Sequence, residues 1–339
     1  MRILLVRTSA LGDVVHVLPV LTALRRHFPH GKIGWVAEER VTPVLAGHPD
    51  LDELLTVRLD AWRRRPFSRG TLRELGGFAS ALDRFAPEVV FDLMGNHKAG
   101  AIAALTLCDR RIGFAWKERR EPSSAAWISE PVVPRGVHAV DRALSLLDAL
   151  GLPPEPADFG GEKLFREEPE TAREVFAARP EPYVLLHPGA GWANKVYPPA
   201  WWGKAARQLF SATGLPTWVG AARGEERLAA EIEAAGGDAV RVVPAPDLPT
   251  LAALIRRARL TMGGDSGPTH LARALGTPVL MVMGPTDPAR HGPYGQPDHA
   301  VVHRLPCSFC YKRLPEAKAC LLSIPPDRVA ARAMEILTS

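Results

Sequence analysis

Residues 262–278, MGGDSGPTHLARALGTP, combine a glycine-rich turn with residue types that bind anions. The apolar residues at its start predict the end of a strand, and Leu and Ala at helical spacing predict a helix that ends at Gly276. Asp265 or Ser266 can cap the start of that helix, and Pro268 suits its first turn. The free backbone N–H groups and the positive end of the helix dipole then favour a phosphate above the strand end.

A capped helix without a ligand has the same sequence pattern, because Asp, Ser and Pro are common at helix starts. Thr269 and His270 lie on the first turn of the predicted helix and would face the same ligand. Their positions favour the anion-binding interpretation over the purely structural one.

A second glycine-rich loop, GAGWANK, follows a predicted strand at residues 183–187 and includes Gly189, Ala190, Gly191 and Lys195. It is not a dinucleotide-binding fingerprint, because Asn194 occupies the third glycine position and residues 208–211 supply no acid for a ribose. The glycines still allow close backbone approach to a phosphate, and Lys195 can neutralise its charge. A surface lysine on a connecting loop remains the alternative.

Asp13 follows Gly12 in the loop after the first predicted strand, at the start of a helix. As a helix cap it would have a purely structural role, which is common for aspartate. As a general base it would face the ligand at the carboxyl end of the strand. Ordinary aspartate is a weak base, so this role needs an environment that increases its basicity or a second group that stabilises the transition state.

Basic residues gather in the first half of the chain, beside Trp62, Phe67 and Trp116. They are Arg63, Arg64, Arg65, Lys98, Arg110, Arg111, Lys117, Arg119 and Arg120. Such runs of charge are often only a solvated surface. No recognition helix or RNA-binding signature accompanies them, so we expect no nucleic acid partner and favour an anionic small molecule or lipid head group.

Cys307, Cys310 and Cys320 lie near His303 and could supply three or four zinc ligands. A second CxxC pair is missing, so we favour buried, reduced thiols and expect no metal site. The four cysteines of the chain are too few for a disulfide scaffold of this length.

Short apolar runs of the kind buried in parallel sheets recur in both halves of the chain. They are residues 3–6, 33–37 and 88–93 in the first half, and 183–187, 216–220, 240–243, 260–262 and 279–283 in the second. Helical patterns separate them, and the Pro- and Gly-rich residues 153–165 form a candidate linker. The alternation predicts an α/β fold of two doubly wound parallel-sheet domains, with a ligand cleft at the carboxyl ends of the strands.

The length of 339 residues suits two domains, and a hydrophobic fraction of 46% suits substantial cores. No apolar run reaches the ~18 residues of a membrane span, and the first residues resemble a strand rather than a signal peptide. We therefore expect a cytoplasmic protein. The formal net charge of +5 favours an anionic partner.

Two long motifs, RTSALGDVVHVLPVLTAL at residues 7–24 and GGDSGPTHLARALGTPVLMVMGPTDP at residues 263–288, resemble the ADP-heptose:lipopolysaccharide heptosyltransferases, family 9 of the glycosyltransferases. Shorter pieces resemble the branch that adds the first heptose, heptosyltransferase I; they are WVAEE, WRRRPF, DLMGNHKAG, REP and HAVDRAL. These motifs are spread over nearly the whole chain.

The resemblance implies a GT-B fold of two Rossmann-like domains. Residues 1–160 would bind the acceptor and residues 161–325 the nucleotide-sugar donor, with the terminal helix at 326–339 packed back on the first domain. The implied reaction is a metal-free, inverting transfer of L-glycero-D-manno-heptose from ADP-heptose to a Kdo residue of Kdo2-lipid A. No cofactor is implied.

By motif, Asp13 corresponds to the general base and Lys195 to the lysine that meets the donor phosphates. Glu226, in preference to Glu225, falls where the family places an acid near the donor ribose. The other implied donor-binding residues are Ser9, Gly12, Gly189, Ala190, Gly191, Asp265, Ser266, Gly267, Thr269 and His270. The implied acceptor-binding residues are Arg63, Arg64, Arg65, Lys98 and Arg120.

Two alternatives stay open. One is heptosyltransferase II or another family 9 transferase with a different acceptor or nucleotide sugar. The other, from a different class, is a non-catalytic protein that binds lipopolysaccharide or nucleotide. For the transferase we expect a monomer in peripheral contact with the inner membrane, since the implied acceptor is lipid-anchored and the first domain is basic.

Overall fold

The computed structural model describes residues 1–179 and 181–339, which divide into two compact units, Met1–Leu164 and Phe165–Ser339. Each unit contains a six-stranded sheet in which neighbouring strands are parallel. The chain passes from the first unit to the second at the end of the Pro- and Gly-rich stretch.

The first unit alternates strands with helices along the chain. Its strands are β1 (Arg2–Val6), β2 (Lys32–Glu38), β3 (Glu53–Val57), β4 (Val89–Asp92), β5 (Arg111–Phe114) and β6 (Glu130–Val132). Its helices are α1 (Leu11–Val15), α2 (Leu18–His27), α3 (Thr42–Leu45), α4 (Leu59–Arg64), α5 (Arg69–Phe85), α6 (His97–Leu105) and α7 (Ala139–Leu144). The strand order is β3-β2-β1-β4-β5-β6, so β1 and β4 are neighbours where the order reverses.

The second unit repeats this arrangement. Its strands are β7 (Val184–His187), β8 (Thr217–Val219), β9 (Val240–Val242), β10 (Leu260–Gly263), β11 (Val279–Met283) and β12 (Ala300–Val302). Its helices are α8 (Glu170–Ala178), α9 (Pro199–Thr213), α10 (Glu226–Gly236), α11 (Leu248–Arg257), α12 (Gly267–Ala274), α13 (Pro288–His291), α14 (Ala319–Leu322) and α15 (Pro326–Thr338). The order β12-β11-β10-β7-β8-β9 makes β7 and β10 the neighbours at the reversal.

Short 3₁₀ turns lie between these elements, at Glu39–Val41, Trp116–Glu118, Pro122–Trp127, Ser145–Leu150, Gly161–Lys163, Ala193–Lys195, Gly237–Ala239 and Pro297–His299. The central strands are buried on both faces; all four apolar residues of β1 that follow Arg2 are 0% exposed. This is why they occur as continuous apolar runs. The predicted fold class, two doubly wound parallel-sheet domains, is confirmed.

The terminal helix α15 packs within the second unit. Its buried residues Val329, Ala330 and Ala333 join the core formed with Trp202 and Leu209 of α9. The family resemblance implied that this helix packs on the first domain. Its apolar face instead covers α9 and the neighbouring strands of its own sheet.

The longest described helix is α5, with 17 residues, and its buried face is formed mainly by Phe78, Leu82 and Phe85. Most of its other residues are exposed. Among all helices in the described parts of the chain, none combines the length and hydropathy that a membrane span requires.

Candidate active site

Asp13 lies at the strand-order reversal of the first sheet, where α/β sheets bind ligands. It belongs to the first turn of α1, directly after β1, and its side chain is 37% exposed. Its Oδ2 accepts a hydrogen bond from the backbone N–H of Ala10 (3.1 Å), and its Oδ1 lies 2.6 Å from Nη2 of Arg7. The carboxylate therefore helps to cap α1 and still reaches solvent.

Arg7 holds the Asp13 side chain in position. Its side chain is 15% exposed, and its Nη1 donates to the carbonyl oxygen of Leu93 in the loop after β4. The indole N–H of Trp35 donates to the carbonyl oxygen of Arg7 (3.0 Å). A guanidinium held in this way fixes the direction in which the Asp13 carboxylate points. Sequence reasoning missed Arg7, although this residue begins the RTSALGD motif.

Ser9 and Gly12 occupy the same loop as Asp13. Gly12 is buried in the first turn of α1, and Ser9 is half-buried. Their assignment to the donor stays a prediction, since the other donor-binding candidates belong to the second unit.

Lys98 and Arg120 lie on two segments that pack against each other in the first unit. A Cβ at Gly95 would lie 3.3 Å from Cα of Arg119, so only a glycine allows this close approach comfortably. The backbone N–H of Glu121 donates to the carbonyl oxygen of Gly95 (3.0 Å). Lys98 and Arg120 are both exposed. The structure thus brings these two acceptor-binding candidates onto adjoining segments.

A buried ion pair holds the two segments in place. Nη2 of Arg119 bonds Oδ2 of Asp92, and both side chains are 0% exposed. Oδ1 of Asp92 accepts from the backbone N–H groups of Met94 and Gly95 (both 3.0 Å), and Nε of Arg119 donates to Oγ of Ser124 (2.7 Å). Losing either partner would leave a buried charge unpaired, at a cost of about 3–5 kcal/mol. Arg119 therefore has a structural role within the basic run.

The arginine cluster formed by Arg63, Arg64 and Arg65 lies at the end of α4 and is exposed to solvent. Nη2 of Arg63 lies 3.6 Å from Oδ1 of Asp60, and Nε of Arg64 donates to the carbonyl oxygen of Asp60 (3.2 Å). Helix α4 follows the edge strand β3, which β2 and β1 separate from β4. The structure therefore groups Lys98 with Arg120 and places the arginine cluster elsewhere on the first unit.

Asp265 is the centre of a polar cluster at the strand-order reversal of the second sheet. Its Oδ2 accepts from Nζ of Lys195 (2.6 Å) and from Oγ1 of Thr286 (2.7 Å), and its Oδ1 lies 2.9 Å from Nε2 of His270. The side chains of Lys195, Asp265 and His270 are 13%, 9% and 6% exposed. We call Asp265, Lys195, His270 and Thr286 the donor cluster. Thr286 is the member that sequence reasoning missed, although it lies in the quoted GPTDP motif.

Opposing effects act on the carboxyl of Asp265. Burial alone would raise its pKa, but the hydrogen bond from His270 and the positive charges of His270 and Lys195 outweigh burial and hold the pKa well below its usual range. Asp265 is therefore ionised at neutral pH. Its charge partly neutralises Lys195 and fixes the direction of the Lys195 ammonium group.

The turn between β10 and α12 is built by hydrogen bonds among its own residues. Ser266 is the cap of α12 and Gly267 its first residue. Thr269 is fully buried; its Oγ1 donates to the carbonyl oxygen of Gly264 (2.8 Å) and accepts from the backbone N–H of Ser266 (3.3 Å). The hydroxyl of Thr269 is thus used inside the turn, and its contact with the donor stays a prediction. Because Pro268 has no N–H, the start of α12 offers an anion the backbone N–H of Gly267 and the positive end of the helix dipole.

The loop from β7 to α9 approaches the donor cluster from a second direction. Among its donor-binding candidates, Gly189 is buried, Ala190 half-buried and Gly191 exposed. A Cβ at Gly264 would lie 3.0 Å from the carbonyl oxygen of Lys195, so the two loops meet almost backbone to backbone. Nζ of Lys195 also lies 4.3 Å from the ring centre of Trp192. These contacts place Lys195 at the cluster and exclude a free surface position.

Glu225, rather than Glu226, lies against this loop. A Cβ at Gly189 would lie 1.8 Å from Oε1 of Glu225, so the carboxylate fills space that glycine leaves. Oε2 of Glu225 accepts from the backbone N–H of Ala222 (2.9 Å). Glu226 is exposed on the first turn of α10, and its Oε1 accepts from the backbone N–H of Gly224 (2.9 Å). The structure therefore favours Glu225 by position, because the residue before the helix turns back toward the sheet, and the contact of either glutamate with the donor ribose stays a prediction.

The cysteines also differ from expectation. Cys307 and Cys310 are exposed and Cys320 is half-buried, so only Cys108 is a buried thiol. Burial raises the pKa of the Cys320 thiol. Within residues 1–179 and 181–339, no three His, Cys, Asp or Glu side chains are grouped so that they could hold a metal ion.

Several known proteins are similar to this chain. The family model Glycosyltransferase family 9 (heptosyltransferase) matches residues 77–320. Lipopolysaccharide heptosyltransferase 1 of Pseudomonas aeruginosa is 31% identical over 92% of this chain and 87% of its own length. The structure of E. coli heptosyltransferase WaaC with ADP is similar with a TM-score of 0.80 and 27% identity, over 99% of this chain and 100% of that chain. The structure of WaaC with ADP-2-deoxy-2-fluoro heptose gives a TM-score of 0.78 and 27% identity, over 99% of both chains. The family model covers most of the chain and its relatives share both doubly wound sheets, so this chain belongs to glycosyltransferase family 9.

Proposed function

We propose that this glycosyltransferase moves L-glycero-D-manno-heptose from ADP-heptose to a Kdo residue of Kdo2-lipid A, in lipopolysaccharide inner-core synthesis. The observation that carries the proposal is the donor cluster, in which Asp265 holds Lys195 beside the start of α12. Similarity to heptosyltransferase 1 supports the sugar and the acceptor. Similarity to a heptosyltransferase whose structure contains ADP supports the nucleotide.

The donor cluster and the start of α12 stabilise the leaving group. Negative charge develops on the diphosphate as its bond to the sugar breaks. Lys195, the backbone N–H of Gly267 and the positive end of the α12 dipole supply fixed positive charge there. Asp265 and His270 are buried and act by orienting Lys195. Because these groups supply the positive charge, we expect the reaction to require neither a metal ion nor a cofactor.

Asp13 is the proposed general base. It accepts the proton of the acceptor hydroxyl while the hydroxyl oxygen forms a bond to the anomeric carbon. The bond from that carbon to the diphosphate oxygen breaks, and ADP leaves with the electron pair. This single displacement inverts the anomeric configuration, through a transition state that resembles an oxocarbenium ion by analogy with glycoside hydrolysis.

Lys98, Arg120 and the arginine cluster are the proposed binding groups for the carboxylates and phosphates of the acceptor. The same exposed charges suit attachment to the anionic cytoplasmic face of the inner membrane, where we propose that the enzyme works as a monomer. Sedimentation with vesicles of acidic lipid tests the location. The molar mass measured by light scattering in solution tests the oligomeric state.

Glu225→Gln should raise the KM for ADP-heptose by about tenfold, since a carboxylate that accepts hydrogen bonds from the ribose contributes about 1.5–3 kcal/mol. Glu226→Gln is the matched variant on the next residue and should change the KM little. Initial rates at saturating acceptor, with calorimetric binding of ADP, measure both. A larger rise of the KM in Glu226→Gln than in Glu225→Gln would support Glu226 as the acid near the donor ribose.

The double variant Arg63→Ala, Arg64→Ala should raise the KM for the acceptor by about fivefold, since each exposed charge contributes up to about 1 kcal/mol. The salt dependence of that KM should also weaken. Arg207→Ala with Arg328→Ala removes the same charge from exposed sites on the second unit and serves as control. A defect confined to the donor KM would contradict the assignment of the cluster to the acceptor.

The proposed function is tested by ADP release with purified protein, ADP-heptose and Kdo2-lipid A. An acceptor that already carries one heptose is run in parallel. Release only with Kdo2-lipid A supports first-heptose transfer. Release only with the heptosylated acceptor would assign the protein to second-heptose transfer. Release with neither acceptor would mean either that ADP-heptose is not the donor or that the protein binds its ligand without catalysis. Binding and transfer measurements with other nucleotide sugars would then distinguish these two outcomes.

A further inference from the structure

The cysteine segment, residues 303–320, has no role in the function proposed so far, yet it is fastened to both loops of the donor cluster. The side-chain Nδ2 of Asn194 donates to the carbonyl oxygen of Lys312 (2.8 Å), and Asn194 is 2% exposed. On the other side, the backbone N–H of Tyr311 donates to the carbonyl oxygen of Pro285 (2.9 Å). Asn194 directly precedes the lysine of the cluster, and Pro285 directly precedes its threonine.

Arg313 is the residue that this attachment delivers to the site. Its Cζ lies 4.9 Å from the ring centre of Trp192, and Nζ of Lys195 lies 4.3 Å from the same centre. The guanidinium of Arg313 and the ammonium group of Lys195 therefore both lie over the indole ring of Trp192, in the loop from β7 to α9. Contact with an aromatic ring holds a cation while leaving its N–H groups to other partners.

The charges of these two cations are balanced differently. Lys195 is paired with the buried carboxylate of Asp265 at 2.6 Å. Arg313 is exposed and has no ion-pair partner within the described ranges 1–179 and 181–339. A diphosphate carries more negative charge than a lysine already paired with a carboxylate can neutralise. A planar guanidinium offers two parallel N–H donors to phosphate oxygens and is well suited to supply the remainder.

We infer that Arg313 is a further diphosphate-binding residue of the donor site, and that the cysteine segment serves to hold it over Trp192. The inference rests on the proposed function for the sugar that the donor carries. The ligand class is a nucleoside diphosphate or its sugar ester, whose second phosphate is the partner of Arg313. The segment that carries Cys307, Cys310 and Cys320 thereby acquires a role in donor recognition.

Arg313→Ala should weaken ADP binding about tenfold, which is the lower end of what a charge-assisted hydrogen bond contributes. AMP binding should change by less than about twofold, because AMP lacks the second phosphate. The salt dependence of ADP binding should also decrease. Arg313→Lys, which keeps the charge but not the paired donors, should give an intermediate loss for ADP. Isothermal calorimetry on the full chain, at two salt concentrations, measures all four quantities.

Arg304→Ala is the matched control, because Arg304 lies over Phe309 of the same segment with its Cζ 5.3 Å from the ring centre. This variant should bind ADP as the wild type does. Unchanged ADP affinity in Arg313→Ala would overturn the inference. So would equal losses for ADP and AMP, or an equal loss in Arg304→Ala, because each would indicate a merely structural role.

The calorimetric test separates this inference from the proposed function, because it needs no acceptor and no transfer. Heptose transfer with unchanged ADP affinity in Arg313→Ala would overturn the inference alone. Absence of heptose transfer, with ADP affinity that depends on Arg313, would overturn the sugar assignment and support the diphosphate contact.

Discussion

Asp13→Asn should lower kcat for heptose transfer by about 10²-fold or more, which is the usual effect of losing a general base. Asparagine cannot take up the proton of the attacking hydroxyl. It can still accept the hydrogen bond from Ala10 that begins α1, so the loop should keep its shape. ADP affinity should stay within about twofold of wild type, since this interaction acts in the transition state rather than on the bound donor.

The measurement is steady-state kinetics at saturating donor and acceptor, with calorimetric ADP binding in parallel. Asp83→Asn removes one negative charge from an exposed site on α5 of the same unit and should leave kcat unchanged. Asp13→Glu keeps a carboxylate but displaces it, and should give an intermediate rate. Wild-type turnover in Asp13→Asn would show that another group accepts the proton.

Asp265→Asn should lower the free energy of unfolding by about 3–5 kcal/mol, because it leaves Lys195 and His270 without their buried counter-charge. ADP affinity should fall by about tenfold or more, since Lys195 loses the partner that orients it. Urea unfolding and calorimetric binding measure the two effects. Asp238→Asn, at an exposed position before β9, is the control and should change neither quantity.

The pH dependence of stability gives an independent test of Asp265. Its folded-state pKa lies below the ordinary value of 3.8, so its contribution to stability is fully present above that value and is lost as the pH falls below it toward the folded-state pKa. The stability difference between wild type and Asp265→Asn should therefore be constant near neutral pH and shrink in acid. A difference that does not shrink in acid would show that charge is not the cause.

The sequence predicted the parts of the site that lie next to central strands. The strands β1, β4, β7 and β10 are continuous apolar runs, and the loops that follow them carry Asp13, Lys195 and Asp265. Strand burial and helix-start chemistry are local properties, so they can be deduced from neighbouring residues. Glu225 and Glu226 differ in position because of how the chain enters α10, and only the first lies against the loop from β7 to α9. Such a difference is invisible in residue types alone.

Three features of the structure were not predicted from the sequence: helix α5, the packing of α15 and the ion pair of Arg119 with Asp92. Helix α5 was missed although Phe78, Leu82 and Phe85 recur at helical spacing, because Gly76 and Gly77 lower its helix propensity. The resemblance implied that α15 packs on the first unit, and the sequence of the helix could not test this, since an apolar face shows that a helix is covered but not what covers it. The pairing of Arg119 with Asp92 joins residues from different elements and has no local signature.

The packing of α15 within its own unit makes each half of the molecule one uninterrupted stretch of chain. A single recombination event near residue 165 would therefore exchange a whole sheet together with all of its helices. Under the proposed assignment, such an event would replace the acceptor half of the enzyme and leave the nucleotide-binding half intact. Architecture of this kind allows a lineage to diversify the sugar chains that it builds while it conserves one activated sugar as the building block.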